Sequence, residues 1–145
     1  MYTRILLAYD GSEAGQKALL DCKEIAGWSR SEIHLVAVMP PPAAFLGGET
    51  FVYDAAMETE ERQRYYAILD EGLQRLAGSV QAATGEVVMG EAVDELSRCA
   101  SERRADLIVV GHKHLDSWAQ RWWRGSVSKA LIEHSPCSVL VVITR

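Results

Sequence analysis

The sequence lacks the features that mark membrane proteins and general nucleic-acid binders. No apolar run approaches the roughly 18 residues that a membrane-spanning helix needs. Basic side chains are not in excess, because 15 Lys and Arg stand against 20 Asp and Glu, for a net charge of −5. We therefore expect no membrane span and no nucleic-acid partner. The first residues lead directly into a strand-like run, which predicts no signal peptide and a cytoplasmic location.

Cysteine is scarce and the cysteines are not grouped. Cys22, Cys99 and Cys137 are far apart, and no Cys-x-x-Cys or Cys/His ligand spacing surrounds them. We interpret them as small buried hydrophobic residues, with a redox role as the weaker alternative. His112 and His114 share a loop without carboxylate or cysteine partners, which makes a poor metal site. No metal centre is predicted.

The common motifs of phosphate chemistry and hydrolysis are also missing. The chain contains neither Gly-x-x-x-x-Gly-Lys-Ser/Thr nor Gly-x-Gly-x-x-Gly, which excludes a Walker-type loop and a Rossmann fingerprint. Spacing identifies no Ser-His-Asp arrangement, and no residue has the placement of a strong general base. We predict a protein that is not an enzyme, with slow ATP hydrolysis as a weaker alternative.

What is present is an alternation of apolar runs and helical patterns. The runs are continuous rather than alternating, as is typical of strands that are covered on both faces of a parallel sheet. The expected strands cover residues 4–8, 33–39, 86–89, 106–110 and 139–143. The expected helices cover residues 13–27, 57–83, 93–104 and 127–134. The pattern predicts one domain over residues 1–145, an α/β three-layer sandwich around a mostly parallel sheet.

Two strand ends carry candidate binding residues. Ligands of open α/β sheets bind beyond the carboxyl ends of strands, where the winding direction reverses. If the first and fourth strands are neighbours there, Asp10 and Gly111 face each other across a crevice. Asp10 could accept hydrogen bonds from a ligand, or it could only brace the turn and cap the next helix. Gly111 would allow a close backbone approach, although a plain strand-end turn would also favour glycine.

A third candidate is the start of the last helix. Backbone N–H groups and hydroxyls there could hold a phosphate, because the positive end of the helix dipole favours anions. The alternative is an ordinary serine N-cap. The stretch consists of Gly125, Ser126, Val127 and Ser128.

Four motifs together resemble the universal stress protein family. They are Tyr-Asp-Gly-Ser, Val-Val-Gly-His-Lys-His, Gly-Ser-Val-Ser and Cys-Ser-Val-Leu-Val-Val, in the family's order over nearly the whole chain. The resemblance implies a five-stranded parallel sheet of order 3-2-1-4-5, in the adenine nucleotide alpha hydrolase-like fold. It also implies a homodimer that forms by antiparallel pairing of the last strand. The interface would then contain Val139, Leu140, Val141, Val142 and Ile143.

One branch of that family binds ATP through Gly-x2-Gly-x9-Gly-Ser/Thr. Carried over to this sequence, the resemblance implies that Asp10 holds the ribose or adenine region, with Ala8 and Val38 lining the base pocket. Val110 and Gly111 would flank the nucleotide. The phosphates would lie against Gly125, Ser126, Val127 and Ser128. ATP, with Mg²⁺ as its companion ion, is the implied cofactor of a regulatory stress-response protein.

The sequence departs from this pattern between the fourth strand and the last helix. His114 stands where the pattern has its second glycine, and ten residues separate it from Gly125. Basic side chains nearby could supply charge to phosphates; they are Lys113, His114, Arg121 and Arg124. Arginines interleaved with tryptophans also resemble a protein contact surface. The alternative function is therefore a dimeric interaction module that binds an unknown protein partner and no nucleotide.

Overall fold

The computed structural model describes residues 1–41, 55–113 and 126–144. Strands and helices alternate along these ranges. The strands are β1 (Arg4–Ala8), β2 (Glu32–Met39), β3 (Ala82–Met89), β4 (Leu107–Lys113) and β5 (Ser138–Thr144). The helices are α1 (Glu13–Ser29), α2 (Ala55–Leu76), α3 (Ala92–Arg103) and α4 (Ser126–His134). In these parts of the chain, no helix combines the length and the apolar character that a bilayer crossing requires.

All five strands are parallel, in the order β3-β2-β1-β4-β5. This confirms the predicted sheet and its order. β1 pairs with β4 over three residues only, from Ile5 opposite Leu107 to Leu7 opposite Val109. Beyond that point β1 turns away towards α1, while β4 continues beside β5 as far as Lys113. The two central strands therefore diverge at the carboxyl edge of the sheet.

Side chains on alternate positions of the strands form a hydrophobic layer on each face of the sheet. Ile5 and Leu7 of β1 are buried in the layer that includes α1 and α2. Leu6 is buried in the layer that includes α3 and α4, together with Val36 and Leu131. Successive side chains of a strand point to opposite faces, so a continuous apolar run fills both layers. The three-layer sandwich is confirmed.

The cysteines behave as small buried residues. Cys22 and Cys99 are almost completely buried, and Cys137 is half-buried. Burial raises the pKa of the Cys22 thiol to about 12. It also raises the pKa of Cys99 to about 12, with help from the Glu86 carboxylate. Both thiols stay protonated near neutral pH and are poor nucleophiles.

Two predicted helix ends are wrong. α1 does not end at Gly27 but continues to Ser29, because an exposed glycine costs a helix only about 1 kcal/mol. It ends at Arg30, which takes the left-handed conformation with a φ of 55°. α2 ends at Leu76 instead of residue 83, and Gly78 follows it with a φ of 75°.

β3 is longer than the predicted strand over residues 86–89. It begins at Ala82 and pairs with β2 along its whole length, so that Thr84 and Gly85 belong to a strand instead of ending a helix. Hydrogen bonds to the β2 backbone are available to any residue, which lets a polar segment join the sheet. β3 lies at one end of the sheet order, which agrees with its polar sequence.

The carboxylate of Asp106 joins the first residues of the chain to the start of β4 through hydrogen bonds. Asp106 accepts hydrogen bonds from the backbone N–H and the hydroxyl of Thr3, both at 2.8 Å. It also accepts one from the backbone N–H of Arg4 at 3.1 Å. Burial by itself would raise the pKa of Asp106, but these hydrogen bonds outweigh it and lower the pKa below the ordinary value of 3.8. The contact fixes β1 beside β4 at the amino edge.

Candidate functional site

A cleft of about 640 Å³ opens where β1 and β4 diverge. It lies beyond the carboxyl ends of β1, β2 and β4, beside the first turns of α1, α3 and α4. The predicted site residues that line it are Ala8, Asp10, Val38, Val110, Gly111, Lys113, Val127 and Ser128. Ser126 begins α4 next to them, while His114 and Gly125 lie outside the described residues. The fold thus brings together, in one cleft, candidates from four separate segments of the chain.

The apolar part of the cleft has contributors that the sequence prediction missed. Val36 is fully buried beside Ala8, its partner across the β1–β2 ladder. The strand period of two places Val36 on the same face as Val38, so the sequence contained that signal. Ala92 and Leu96 of α3 also line the cleft. Their position depends on how α3 packs, which no local pattern reveals.

Asp10 braces the turn after β1 and keeps one oxygen free of the protein. Its Oδ1 accepts hydrogen bonds from the Ser12 backbone N–H at 3.0 Å and from the Ser12 hydroxyl at 2.5 Å. The Ser12 Oγ in turn accepts from the backbone N–H of Gly15 and caps α1. Asp10 Oδ2 accepts no hydrogen bond from any described residue, and the side chain is exposed in the cleft. Bracing the turn and binding a ligand are therefore compatible roles.

Gly111 is required by the chain's own packing. A Cβ atom at this position would collide with the carbonyl group of Ala14 and would lie 2.8 Å from the backbone nitrogen of Gly15. The close approach that the sequence suggested is therefore between β4 and the first turn of α1. The prediction that the fourth strand ends at Val110 is wrong, because Gly111 pairs with Val142 and the strand continues to Lys113.

The charged groups of the cleft are unevenly distributed. Glu13, in the first turn of α1, lines the same side as Asp10 and was not among the predicted site residues. Lys113, at the end of β4, supplies positive charge to the cleft. Across the described ranges, no three His, Cys, Asp or Glu side chains are grouped closely enough to hold a metal ion.

Tyr9 lines the cleft, but its ring points away into the layer beneath α2. It lies beside Gly72, where an added Cβ atom would be 2.8 Å from Tyr9 Cε1. Burial raises the pKa of the phenol, and the nearby Glu71 carboxylate adds to this effect. The hydroxyl makes no well-aligned hydrogen bond to any residue that the structure describes. Tyr9 therefore packs beneath the cleft and offers no ionised group to a ligand.

These features fit a ligand with three distinct parts. Ala8 and Val38, backed by the fully buried Val36, provide an apolar surface for a flat ring. Asp10 Oδ2 is an acceptor for hydroxyl or amino groups. The start of α4 and the Lys113 ammonium favour an anion. An apolar ring, polar hydroxyls and an anionic group occur together in a nucleotide.

β5 forms one edge of the sheet, and β4 is its one partner strand within the described ranges. Ile143 is 54% exposed, whereas Val142 is buried and the other predicted interface residues, Val139, Leu140 and Val141, are half-buried. A groove of about 370 Å³ separates β5 from α1 and is lined in part by the exposed Trp28. The free backbone edge and the exposed apolar side chains are suited to strand pairing with another chain.

Known proteins share this sequence and this fold over their whole length. A universal stress protein of Thermus aquaticus is 31% identical over 146 residues, which cover 98% of this chain and 99% of the relative. The crystal structure of a protein from the universal stress protein family of Burkholderia pseudomallei superimposes with a TM-score of 0.76 at 26% identity, covering 97% of this chain and 96% of that one. A universal stress protein whose structure was solved in complex with cAMP gives a TM-score of 0.71 at 26% identity, covering 99% and 98%.

The sequence profile of the universal stress protein family matches residues 1–142. The match includes every strand that lines the cleft and most of β5. The sheet order and the motifs after β1 and β4 agree with the same assignment. The chain therefore belongs to the universal stress protein family.

Proposed function

We propose that this protein is a cytoplasmic, non-catalytic regulator of the stress response that binds an adenine nucleotide in the cleft. The observation that carries the proposal is the convergence of apolar, acceptor and anion-favouring groups at the point where β1 and β4 diverge. The relative that was solved with cAMP supports an adenine ligand. ATP, with Mg²⁺, is the form that the family resemblance implies.

Each part of the proposed nucleotide has a partner in the cleft. The adenine ring packs against the half-buried Ala8 and Val38, which exclude water from one side of the base. The carboxylate of Asp10 accepts a hydrogen bond from the ribose or the base through Oδ2. The phosphate lies at the first turn of α4, between Ser128 and Lys113.

The Asp10→Asn variant tests this site without removing the brace of the turn. Asparagine retains Oδ1 for Ser12 but replaces Oδ2 with an NH2 group that cannot accept a hydrogen bond. Loss of a hydrogen bond to a charged group costs about 1.5 kcal/mol or more, so we expect nucleotide affinity to fall by about tenfold or more. Isothermal titration calorimetry with ATP, on protein stripped of bound ligand, measures the change.

Asp70→Asn is the matched control, because Asp70 is exposed on α2 and does not line the cleft. It should bind ATP as the unaltered protein does. Equal affinity of the Asp10→Asn variant would place the ligand elsewhere. An absence of heat for the unaltered protein at millimolar ATP, AMP and cAMP would contradict nucleotide binding. The dimeric interaction module without nucleotide would then be the better description.

The proposal includes a homodimer through β5, which has a free edge and exposed apolar side chains. A lysine at Ile143 would place a charge on that edge and should oppose strand pairing. We expect sedimentation at micromolar concentration to find a dimer for the unaltered protein and a monomer for Ile143→Lys. Tyr66→Lys is the control, because Tyr66 is 50% exposed on α2, which packs against β2 and β3 at the other side of the sheet. A monomeric unaltered protein would disprove the dimer.

A further inference from the structure

We propose that His34, a buried histidine of β2, makes the position of α3 on the sheet sensitive to acid, so that nucleotide binding in the cleft weakens when His34 takes up a proton. The proposal rests on the proposed function, because it names a regulation of the same site. Its basis is a group of polar side chains where β2, β3 and the second half of α3 meet. This His34 cluster consists of His34, Thr84, Glu86, Cys99 and Arg103.

His34 lies in the hydrophobic layer beneath α3. It is 7% exposed, and Leu6, its partner across the β1–β2 ladder, belongs to that layer. Nδ1 is 2.7 Å from the hydroxyl of Thr84, and Nε2 is 3.3 Å from Oε2 of Glu86. The second contact has the distance of an ion pair but not the alignment of a hydrogen bond. Among the described residues, Nε2 is thus a buried polar atom with incomplete bonding, which is uncommon in a protein interior.

Glu86 joins this histidine to α3. Its Oε1 accepts a hydrogen bond from the thiol of Cys99 at 3.2 Å, and its Oε2 accepts one from Nη2 of Arg103 at 2.9 Å. Cys99 and Arg103 follow each other by one turn in the second half of α3. β3, which carries Glu86, lies at one end of the sheet order. The His34 cluster therefore holds the second half of α3 against an outer strand.

The described surroundings of His34 favour its neutral form. Burial lowers the pKa of the imidazole, and the Arg103 guanidinium lowers it further. The Glu86 carboxylate raises it, but the net result is a pKa below the ordinary value of 6.5. Burial alone would raise the pKa of Glu86, yet hydrogen bonds from Arg103 and Cys99 lower it, so that the carboxylate stays ionised. A hollow of about 310 Å³ that borders His34 has three further charged residues in its lining, Arg4, Glu32 and Glu102.

A proton on His34 sets two cations against one carboxylate oxygen. Both ring nitrogens of an imidazolium are donors, and Nε2 faces the same Oε2 of Glu86 that Arg103 binds. One of the two cations would be buried, and the burial of a charge is costly. The cost falls when the last turn of α3 moves away from β3 and water reaches the ring. Protonation therefore stabilises a state with a displaced α3, and the shift begins as the pH falls below about 6.5.

α3 connects the His34 cluster to the cleft. Ala92 and Leu96 line the cleft, and Leu96 precedes Cys99 by about one turn. Leu96 and Cys99 are buried in the same hydrophobic cluster as Val36. A shift at one end of this 12-residue helix changes the wall of the cleft at the other end. The displaced state should bind nucleotide less tightly, so acid shifts the population away from the binding state.

The test compares the pH dependence of ATP affinity between the unaltered protein and His34→Gln. Glutamine keeps a polar side chain at this position but does not titrate between pH 5 and 8. When the pH is lowered from 7.5 to 5.5, the affinity of the unaltered protein should fall by at least about threefold more than that of His34→Gln. Protonation of ATP itself affects both proteins equally and cancels in this comparison. Isothermal titration calorimetry on the full chain, stripped of ligand, measures the affinities.

His134→Gln is the matched control, because His134 is an exposed histidine of α4, outside the His34 cluster and the cleft lining. It should keep the pH dependence of the unaltered protein. Hydrogen exchange followed by mass spectrometry gives a second readout that needs no nucleotide. After correction for the intrinsic pH dependence of exchange, protection of α3 and β3 relative to α1 should fall at pH 5.5 in the unaltered protein and not in His34→Gln. Urea denaturation at pH 7.5 verifies that the variants are folded.

The outcomes separate this inference from the proposed function. If no nucleotide binds at either pH while the protection of α3 falls in acid, the proposed function is wrong and the acid response of α3 stands. If α3 responds to acid but both proteins lose ATP affinity equally, the link from α3 to the cleft is wrong. Unchanged protection of α3 in acid, or an equal loss in His34→Gln, would overturn the inference.

Discussion

Replacing Gly111 by alanine is expected to lower the free energy of unfolding by about 3 kcal/mol, at the upper end of what an overpacked core position costs. The added Cβ atom would collide with the carbonyl group of Ala14 and would lie 2.8 Å from the Gly15 nitrogen. These are backbone atoms of α1, so no side-chain rotation can relieve the contact. Either β4 or the first turn of α1 must move. Urea denaturation monitored by circular dichroism measures the loss.

The Gly27→Ala variant is the matched control for Gly111→Ala. Gly27 lies in α1, and a Cβ atom there would have no atom within 4 Å apart from its chain neighbours and the backbone of its own helix. Alanine should therefore stabilise the helix by about 0.5–1 kcal/mol, through its higher helix propensity. Equal urea midpoints for the Gly111→Ala variant and the unaltered protein would show that α1 and β4 are not in contact as described.

Replacing Asp106 by alanine is expected to cost about 2 kcal/mol, since three donors lose a charged acceptor and a hydrogen bond to a charged group contributes about 1.5–3 kcal/mol. The donors belong to Thr3 and Arg4, so the beginning of β1 should loosen from β4. The position is half-buried, and water replaces part of the loss. Asp106→Asn keeps one acceptor oxygen and should lose about half as much.

The Asp106 contribution also depends on pH. The folded-state pKa is lower than the ordinary value of 3.8, so the ionised form stabilises the native state. The difference in unfolding free energy between the unaltered protein and Asp106→Ala should be complete above about pH 4–5. It should shrink as the pH falls through the lower folded-state pKa. A difference that is the same at pH 7 and pH 2.5 would exclude an ionised Asp106 as its source.

Sequence patterns were sufficient for the arrangement of the fold. Continuous apolar runs of the kind found in β1 can be buried only between two layers, and this fixes the class of the fold. Sequence patterns gave wrong ends for helices and strands where tertiary contacts determine those ends. Gly85 is a poor strand residue, yet the β2 backbone beside it offers a complete ladder of hydrogen bonds. Gly27 looks like a helix end, but no contact or strained angle stops the helix there.

The candidate site was predictable where a residue's position in the sequence also fixes its direction in space. Asp10 follows from the carboxyl end of β1, because ligands of parallel sheets bind at that edge, whereas Val38 was implied by the family resemblance. Glu13 was visible as an acidic residue in a first helical turn. The location of Glu13 in the cleft depends on the direction in which α1 leaves the sheet. The need for glycine at position 111 depends on the same direction, because it arises from the close contact between β4 and α1.

The short pairing between β1 and β4 has a mechanical consequence. Beyond Val109, the last four residues of β4 pair with β5 and no longer with β1. Residues 110–113 and 141–144 thus form a two-stranded ribbon, and such ribbons twist more than the interior of a sheet. The ribbon carries Lys113 at the cleft and Ile143 at the outer edge. Ligand binding and pairing with a second copy would both act on this ribbon. If ligand binding changes the free energy of dimerisation, dimerisation must change the free energy of ligand binding by the same amount.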